Sequence, residues 1–378
     1  MTNPPLVDLR HELHRRAELS GHERRTAAFV AEHLRASAPD GLVADLGGHG
    51  VAAVFAGAAP GPTLLVRADL DALPLPDRAA PGWASTTAGV SHRCGHDGHA
   101  TMLLGLARAL ADRRPERGRV VLLFQPAEET GHGARTILAD PAFAGIAPDR
   151  VLAVHNLPGF PLGTLVLREG PFASASCGLE IILTGVTSHA AEPERGLSPV
   201  PVAAELALQL PQLPAATVDS GPGGLVTVVG VDVGSDAFGV SPGTGRVLAT
   251  LRTATDDQMA ALRDAARRLA GDLAARSGIA WAIRWHEEFP GTANDANIVG
   301  HLTAAAERAG IPIRRPREPF RWSEDFGHFT ARWPGALVGL GSGESQPPLH
   351  HPDYDFPDAL LEPGVAFWRL AVDALLAD

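Results

Sequence analysis

Residues 91–99 read Ser-His-Arg-Cys-Gly-His-Asp-Gly-His, which places three histidines, a cysteine and an aspartate within nine positions of a chain that has only two cysteines. Each of these side chains can donate a lone pair to a divalent cation. Thiolate and imidazole suit zinc and its first-row neighbours, and carboxylate suits harder ions such as manganese. More donors follow at a distance: Phe-Gln-Pro-Ala-Glu-Glu at 124–129, an isolated His155, and Leu-His-His-Pro at 349–352. A fold that uses them together has to bring four separated segments to one point.

Single hydrophobic cores stop growing at roughly 250–300 residues, so a 378-residue chain is expected to form two domains. Its formal charge of -11 and ordinary apolar content describe a soluble, acidic protein with no reason to seek nucleic acid or an anionic membrane. No stretch reaches about 18 uninterrupted apolar residues, and the start lacks the basic and apolar regions of a secretory signal, so a cytoplasmic protein is expected. Two cysteines are too few for a disulfide framework. Cys94, among histidines, suits a reduced ligand, and Cys177 is expected to pack.

The first half alternates amphipathic helical patterns (6–16, 22–35, 97–112) with apolar strand patterns (51–55, 63–67, 119–124, 150–154). That alternation predicts a layered α/β sheet. The Cys-Gly-His cluster then sits where a loop enters a helix, Glu128 and Glu129 follow a strand, and His155 ends another. Ligands at strand ends are where open α/β sheets hold their sites. Between 177 and 289 the order becomes strand, helix, two strands, helix, strand. This ferredoxin-like βαββαβ unit is expected to be a satellite domain (177–289) inserted into a catalytic domain (1–176 and 290–378), because His350 comes after it and must fold back. Residues 211–224 read as a loop.

The motifs Leu-Val-Arg-Ala-Asp-Leu-Asp-Ala-Leu-Pro (65–74), Cys-Gly-His-Asp-Gly-His (94–99), Phe-Gln-Pro-Ala-Glu-Glu (124–129), Ser-Glu-Asp-Phe (323–326) and Leu-His (349–350) occur in this order along nearly the whole chain. In this combination the chain resembles the amidohydrolase branch of the aminoacylase and carboxypeptidase-type dinuclear metallopeptidases, which includes hippurate hydrolases and N-acyl-L-amino-acid amidohydrolases. The resemblance implies a zinc-peptidase-like, mixed-sheet, three-layer catalytic domain. It implies two divalent metal ions, zinc, manganese, cobalt or nickel, on Cys94, His96, Glu129, His155 and His350. Glu128 would be the general base in hydrolysis of N-acylated small molecules, and a homodimer would pair through the satellite domain. The residue chemistry agrees with that division of roles. Neighbours on an extended segment point to opposite sides, so one glutamate can hold metal while the other handles protons. No Gly-x-Ser-x-Gly elbow offers a serine nucleophile.

Several residues carry a bland reading beside the functional one. Flanking His92 and His99 would more often hydrogen-bond or lie exposed than ligate, and Asp97 suits a helix cap. Asp69 and Asp71 end an apolar strand, where carboxylates need partners. By resemblance Asp71 orients a ligand histidine, while Asp69 stands where related peptidases carry a metal histidine. Glu324 and Asp325 read as supporting or structural. His189 matches the family's histidine that hydrogen-bonds the substrate carbonyl or oxyanion, and Arg252 is a candidate fork for a substrate carboxylate. Either His350 or His351 could ligate, with His350 favoured. Departures from the family pattern at Pro193-Glu194 and at 239–242 fall in the satellite and bear on the substrate, not the reaction. The alternatives are a dinuclear-metal dipeptidase or aminopeptidase, and a metal-binding scaffold without turnover. Glu128 beside Glu129 argues against the scaffold, which needs no base.

Overall fold

The structure, a computed structural model, describes residues 4–78, 82–217 and 223–377. The chain divides into two compact units. One is built from Met1–Gly170, Thr292–Arg317 and Asp325–Asp378, the other from Pro171–Gly291 and Glu318–Glu324.

The first unit is organised by an eight-stranded mixed sheet in the order Gly41–Leu46, Gly50–Ala56, Arg117–Gln125, Ala59–Asp69, Arg150–Pro158, Gly335–Gly343, Leu165–Val166, Ile313–Arg314. Its four central strands run parallel to one another and pair antiparallel with the strands outside them. They are near-continuous apolar runs, as expected of strands covered on both faces. Leu64, Val66, Val120, Leu122, Leu152, Val154, Ala336 and Val338 join a core with helices Leu6–Arg15, Arg24–Ala36, His96–Asp112, Ala296–Arg308 and Leu361–Leu376. The alternate residues Leu65, Val121, Leu123, Val151 and Leu337 are equally buried. Helices Gly133–Ala139 and Gly327–Thr330 lie against strands Arg117–Gln125 and Gly335–Gly343. The result is three layers, with Glu128 and Glu129 just beyond the carboxyl end of Arg117–Gln125, His155 within Arg150–Pro158, and Cys94 and His96 at the start of helix His96–Asp112. Two details differ from the sequence reading. The strand carrying His155 continues to Pro158, and a central strand, Gly335–Gly343, carried no expectation at all.

The second unit orders its elements strand, helix, strand, strand, helix, strand. Ala175–Thr184, Leu225–Val233, Thr244–Thr253 and Ala280–Phe289 form an antiparallel sheet in the order Leu225–Val233, Thr244–Thr253, Ala175–Thr184, Ala280–Phe289. Helices Val200–Gln209 and Asp256–Ser277 cover one face, burying Leu179, Ile181, Leu206, Val247, Leu251 and Leu262 together. Asp256–Ser277 has both ends written locally. Thr255 accepts from the Gln258 amide, two aspartates sit in the first turn, and Gly278 at φ +70° stops the helix. Cys177 is buried with Sγ 3.6 Å from Met259 Sδ, and burial pushes its thiol up to about 12. Glu318–Glu324 joins this unit, with Phe320 and Trp322 against Phe172. Where a loop was expected over 211–224, a short helix occupies Leu213–Thr217. Residues 218–222 lie outside the described set. Among the described residues no helix is long and apolar enough to cross a membrane.

Candidate metal centre

Cys94 and His96 flank Gly95, the residue before helix His96–Asp112. Gly95 has φ +91°, and a Cβ there would come within 2.6 Å of Asn156 Nδ2, so only glycine lets the chain turn so close to that side chain. The turn delivers Cys94 and His96, both buried, to one side of the sheet. His155 arrives from strand Arg150–Pro158, with Nε2 3.4 Å from Cys94 Sγ. Glu128 and Glu129 follow Ala127, whose left-handed backbone (φ +54°) is pinned by its amide donating to buried Glu23. His350 enters from the far end of the chain with Nε2 3.6 Å from Glu129 Oε2.

Tautomers are set by neighbours. His96 donates from Nδ1 to the Asp71 carbonyl oxygen at 2.9 Å, and His155 donates from Nδ1 to the Asn156 carbonyl oxygen at 2.8 Å. Both rings therefore turn Nε2 toward the same space. His96 Nε2 lies 3.8 Å from Glu129 Oε1, both atoms are buried, and neither has a hydrogen-bond partner. Ligand bonds of about 2.0–2.3 Å in a tetrahedral array set donor–donor edges near 3.3–3.8 Å. The separations 3.4, 3.6 and 3.8 Å match such edges. The five expected ligands form two donor sets, Cys94 with His96 and His155, and Cys94 with Glu129 and His350. Within each set the donor atoms lie within 4.8 Å of one another. The residues present fit divalent cations.

Asp69 and His99 satisfy the same donor count with His96, yet Asp69 Oδ1 sits only 2.7 Å from His99 Nδ1 and Oδ2 takes 2.8 Å from Arg67 Nη1. These are hydrogen bonds with no room for an ion. His99 Nε2 in turn accepts from the Asn156 amide at 3.0 Å. Asp71 holds the centre differently: besides its carbonyl, Oδ2 accepts from the Glu129 amide at 2.9 Å and from Ser20 at 2.7 Å. Glu128 is buried, with Oε1 accepting from the Asp325 amide at 3.4 Å and Oε2 4.0 Å from His96 Nε2. Asp325 is fixed by Arg67, Gln125 and the Ala134 amide.

The electrostatics call for positive charge at this point. Burial alone would depress His96, but Asp69, Asp71 and Glu129 raise it to about 10. Burial lifts the Glu129 carboxyl to about 8. Asp69 is held well below the usual carboxylate range by His96, His99 and Arg67 against the opposing effect of burial. Burial drives His155 well below its ordinary value, which leaves a neutral imidazole suited to a cation.

Asp97 is no simple cap. It accepts from His14 Nδ1 at 2.8 Å and pairs with Arg10 at 3.2 Å, both wholly buried. Burial lowers His14, but Asp77 and Asp97 raise it from 6.5 to about 9. Because the folded value exceeds the unfolded one, this contribution to stability is complete below pH 6.5 and is lost as pH rises through about 9. It is worth on the order of 3 kcal/mol. Denaturant titrations of wild type and His14→Gln should therefore differ most at pH 6 and converge by pH 10. A difference that does not change with pH would refute the linkage.

The remaining expected site residues are not among these donors. His189, exposed, sits in a two-residue strand, Ser188–His189, paired with Val240–Ser241, and its Nδ1 accepts from the Ala191 amide at 3.0 Å. Arg252 spends Nη1 on the Arg321 carbonyl oxygen and Ser323 Oγ. Both belong to the second unit. His351 Nδ1 accepts from the Asp353 amide, so of the two adjacent histidines His350 joins the donors. Sequence reasoning passed over Arg67, Asn156 and Tyr354. A buried arginine inside the apolar run 64–68 was the one available signal.

Comparison with known proteins shows the family. The model of Peptidase family M20/M25/M40 matches residues 65–374. N-acetyl-L-cysteine deacetylase of Bacillus subtilis (strain 168) is 31% identical over 361 residues, covering 94% of this chain and 84% of the relative. N-acetylcysteine deacetylase of the same organism is 30% identical over 373 residues, covering 98% and 97%. The solved structure of the Bacillus subtilis YXEP protein, a dinuclear metal binding peptidase from the M20 family, superposes with a TM-score of 0.82 at 27% identity, covering 98% of this chain and 97% of that one. With the match spanning most of the chain, the chain belongs to peptidase family M20/M25/M40 and is a hydrolase of amide bonds.

Proposed function

We propose that the chain is a metal-dependent amidohydrolase that cleaves the amide joining an acyl group to an amino acid. Cys94, His96, Glu129, His155 and His350 would hold two divalent cations, and Glu128 would act as general base. The observation that carries this reading is the pair of buried atoms without hydrogen bonds, His96 Nε2 and Glu129 Oε1, 3.8 Å apart beside a cysteine. Burying such groups is costly unless a cation completes them. The deacetylase relatives support the N-acyl-amino-acid substrate, and the dinuclear structural relative supports the number of metals. When bound, the cations supply Lewis-acid polarisation of the scissile carbonyl and acidify the attacking water.

Glu128 is placed for proton transfer. Its Oε1 accepts from the Asp325 amide and its Oε2 lies 4.0 Å from His96 Nε2, so the carboxylate is placed to take a proton from water and return it to the leaving amine. In His189 the amide of Ala191 occupies Nδ1 and leaves the proton on Nε2, a donor suited to a substrate carbonyl oxygen. Arg252 is assigned to the substrate carboxylate. Thiolate and imidazole favour zinc, and manganese, cobalt or nickel fit the same donors. Residues 1–176 with 290–378 form the catalytic domain in this reading and 177–289 the satellite. The satellite's terminal strand, Leu225–Val233, exposes Leu225, Val229 and Val231, which supports pairing with a second copy. A reduced Cys94 supports a cytoplasmic setting.

The test is metal content per chain on gently purified protein, with amine release from a panel of N-acyl amino acids in added manganese, zinc or cobalt. The expected outcome is two metals, metal-dependent release, and a dimer on sizing. Cleavage only of free-amine dipeptides would move the reading to a peptidase. Bound metal with no turnover would point to a scaffold, and a chain that binds no metal would end the proposal.

A further inference from the structure

Of the five donors, His350 is the least supported by packing. Its side chain is 52% exposed, whereas His96 is fully buried and His155 nearly so. Its backbone also sits at φ +65°, a left-handed conformation that a residue with a side chain adopts only when its surroundings impose it. Arg93 holds this loop at two points. The Arg93 carbonyl oxygen accepts from the His350 amide at 2.9 Å. Its wholly buried guanidinium donates to the Tyr354 carbonyl oxygen from Nη1 and to Asp77 from Nη2. One residue therefore grips the loop at His350 and again four residues on. The circuit closes on the other side, where the Tyr354 hydroxyl donates to Asn156 Oδ1 and Asn156 Nδ2 donates to the Cys94 carbonyl oxygen at 2.7 Å. The loop bearing His350 and the loop bearing Cys94 are thereby tied into one frame, although 261 residues separate Arg93 from Tyr354.

We propose that Arg93 is a positioning residue that presets His350 for the cation shared with Cys94 and Glu129. One of the two metal positions then depends on it, while the position on Cys94, His96 and His155 does not. The inference rests on the dinuclear reading above. A planar fork is required because Tyr354 and Asp77 are held in two directions at once, which a lysine ammonium on a flexible stem does not reproduce.

The experiment is equilibrium dialysis against zinc alone, read as bound metal per chain, on wild type, His350→Ala, Arg93→Lys and the double variant Arg93→Met with Asp77→Asn. The double variant leaves no unpaired carboxylate at position 77, and circular dichroism checks that each variant is folded. Wild type should bind two ions and His350→Ala one. Arg93→Lys and the double variant should bind the first as wild type does and the second about 10- to 100-fold more weakly. An unchanged second constant in either folded Arg93 variant overturns the role of Arg93, as does equal weakening of both ions, which would mark a general structural prop. If wild type binds only one ion, or His350→Ala keeps two, the dinuclear reading falls and this proposal with it.

Discussion

In Glu128→Gln the turnover number on an N-acyl amino acid is expected to fall by about 10²–10⁴-fold, the usual contribution of a positioned general base, while metal content stays at the wild-type level. The geometry makes this a clean substitution. The glutamine carbonyl can still accept from the Asp325 amide that now anchors Oε1, so the side chain keeps its rotamer and loses only basicity. Neighbouring Glu129 keeps its amide on Asp71, so the donor set stays intact. A base that acts only on the way to the transition state lowers kcat and kcat/KM together and leaves KM near its original value. Glu129→Gln, by contrast, removes a charged donor and should lose metal and activity together. Wild-type rates in a fully metal-loaded Glu128→Gln would assign proton transfer to another group.

The parts of the centre legible in the sequence are those written in short range. Cys94, Gly95 and His96 are consecutive, Glu128 and Glu129 are adjacent, and alternating helix and strand patterns were enough to place the first group where a loop enters a helix and the second just after a strand of an α/β sheet. The supporting residues had no such local signature. Asn156 meets Tyr354 across 198 residues, and Arg67 meets Asp325 across 258, so only the folded chain reveals the pairing. Strand Gly335–Gly343 was illegible for a different reason. Its glycines depress strand propensity, yet Gly339 lies so close to Leu157 and Val166 that a Cβ would fall 2.2 Å from Leu157 Cδ1. Close packing in the middle of the sheet selected the residue that local propensity disfavours. Asp69 shows the converse case: its type and spacing suit a ligand, and only the 2.7 Å contact with His99 and the 2.8 Å contact with Arg67 show its oxygens already committed.

Arg67→Met should cost on the order of 3–5 kcal/mol of stability in the first unit, the largest loss expected from a change that leaves every proposed metal donor in place. Arg67 is 1% exposed, and its guanidinium donates to Asp69 at 2.8 Å, Asp325 at 2.9 Å and Gln125 at 3.0 Å. Methionine fills similar volume but leaves two carboxylates inside the protein without their shared cation. If the loss comes from those stranded charges and not from packing, Arg67→Met combined with Asp69→Asn and Asp325→Asn should recover much of it, because an uncharged replacement of the whole network no longer strands an ion. Denaturant unfolding measures both numbers. A single variant within about 0.5 kcal/mol of wild type would show that solvent or rearrangement satisfies the carboxylates. A triple variant no more stable than the single would place the cost in packing. The same network reaches the chemistry through two hydrogen bonds, Asp69 to His99 and the Asp325 amide to Glu128. Arg67→Met should therefore also lower activity at temperatures where it is still folded, which ties the stability of the sheet's buried charges to the placement of Glu128.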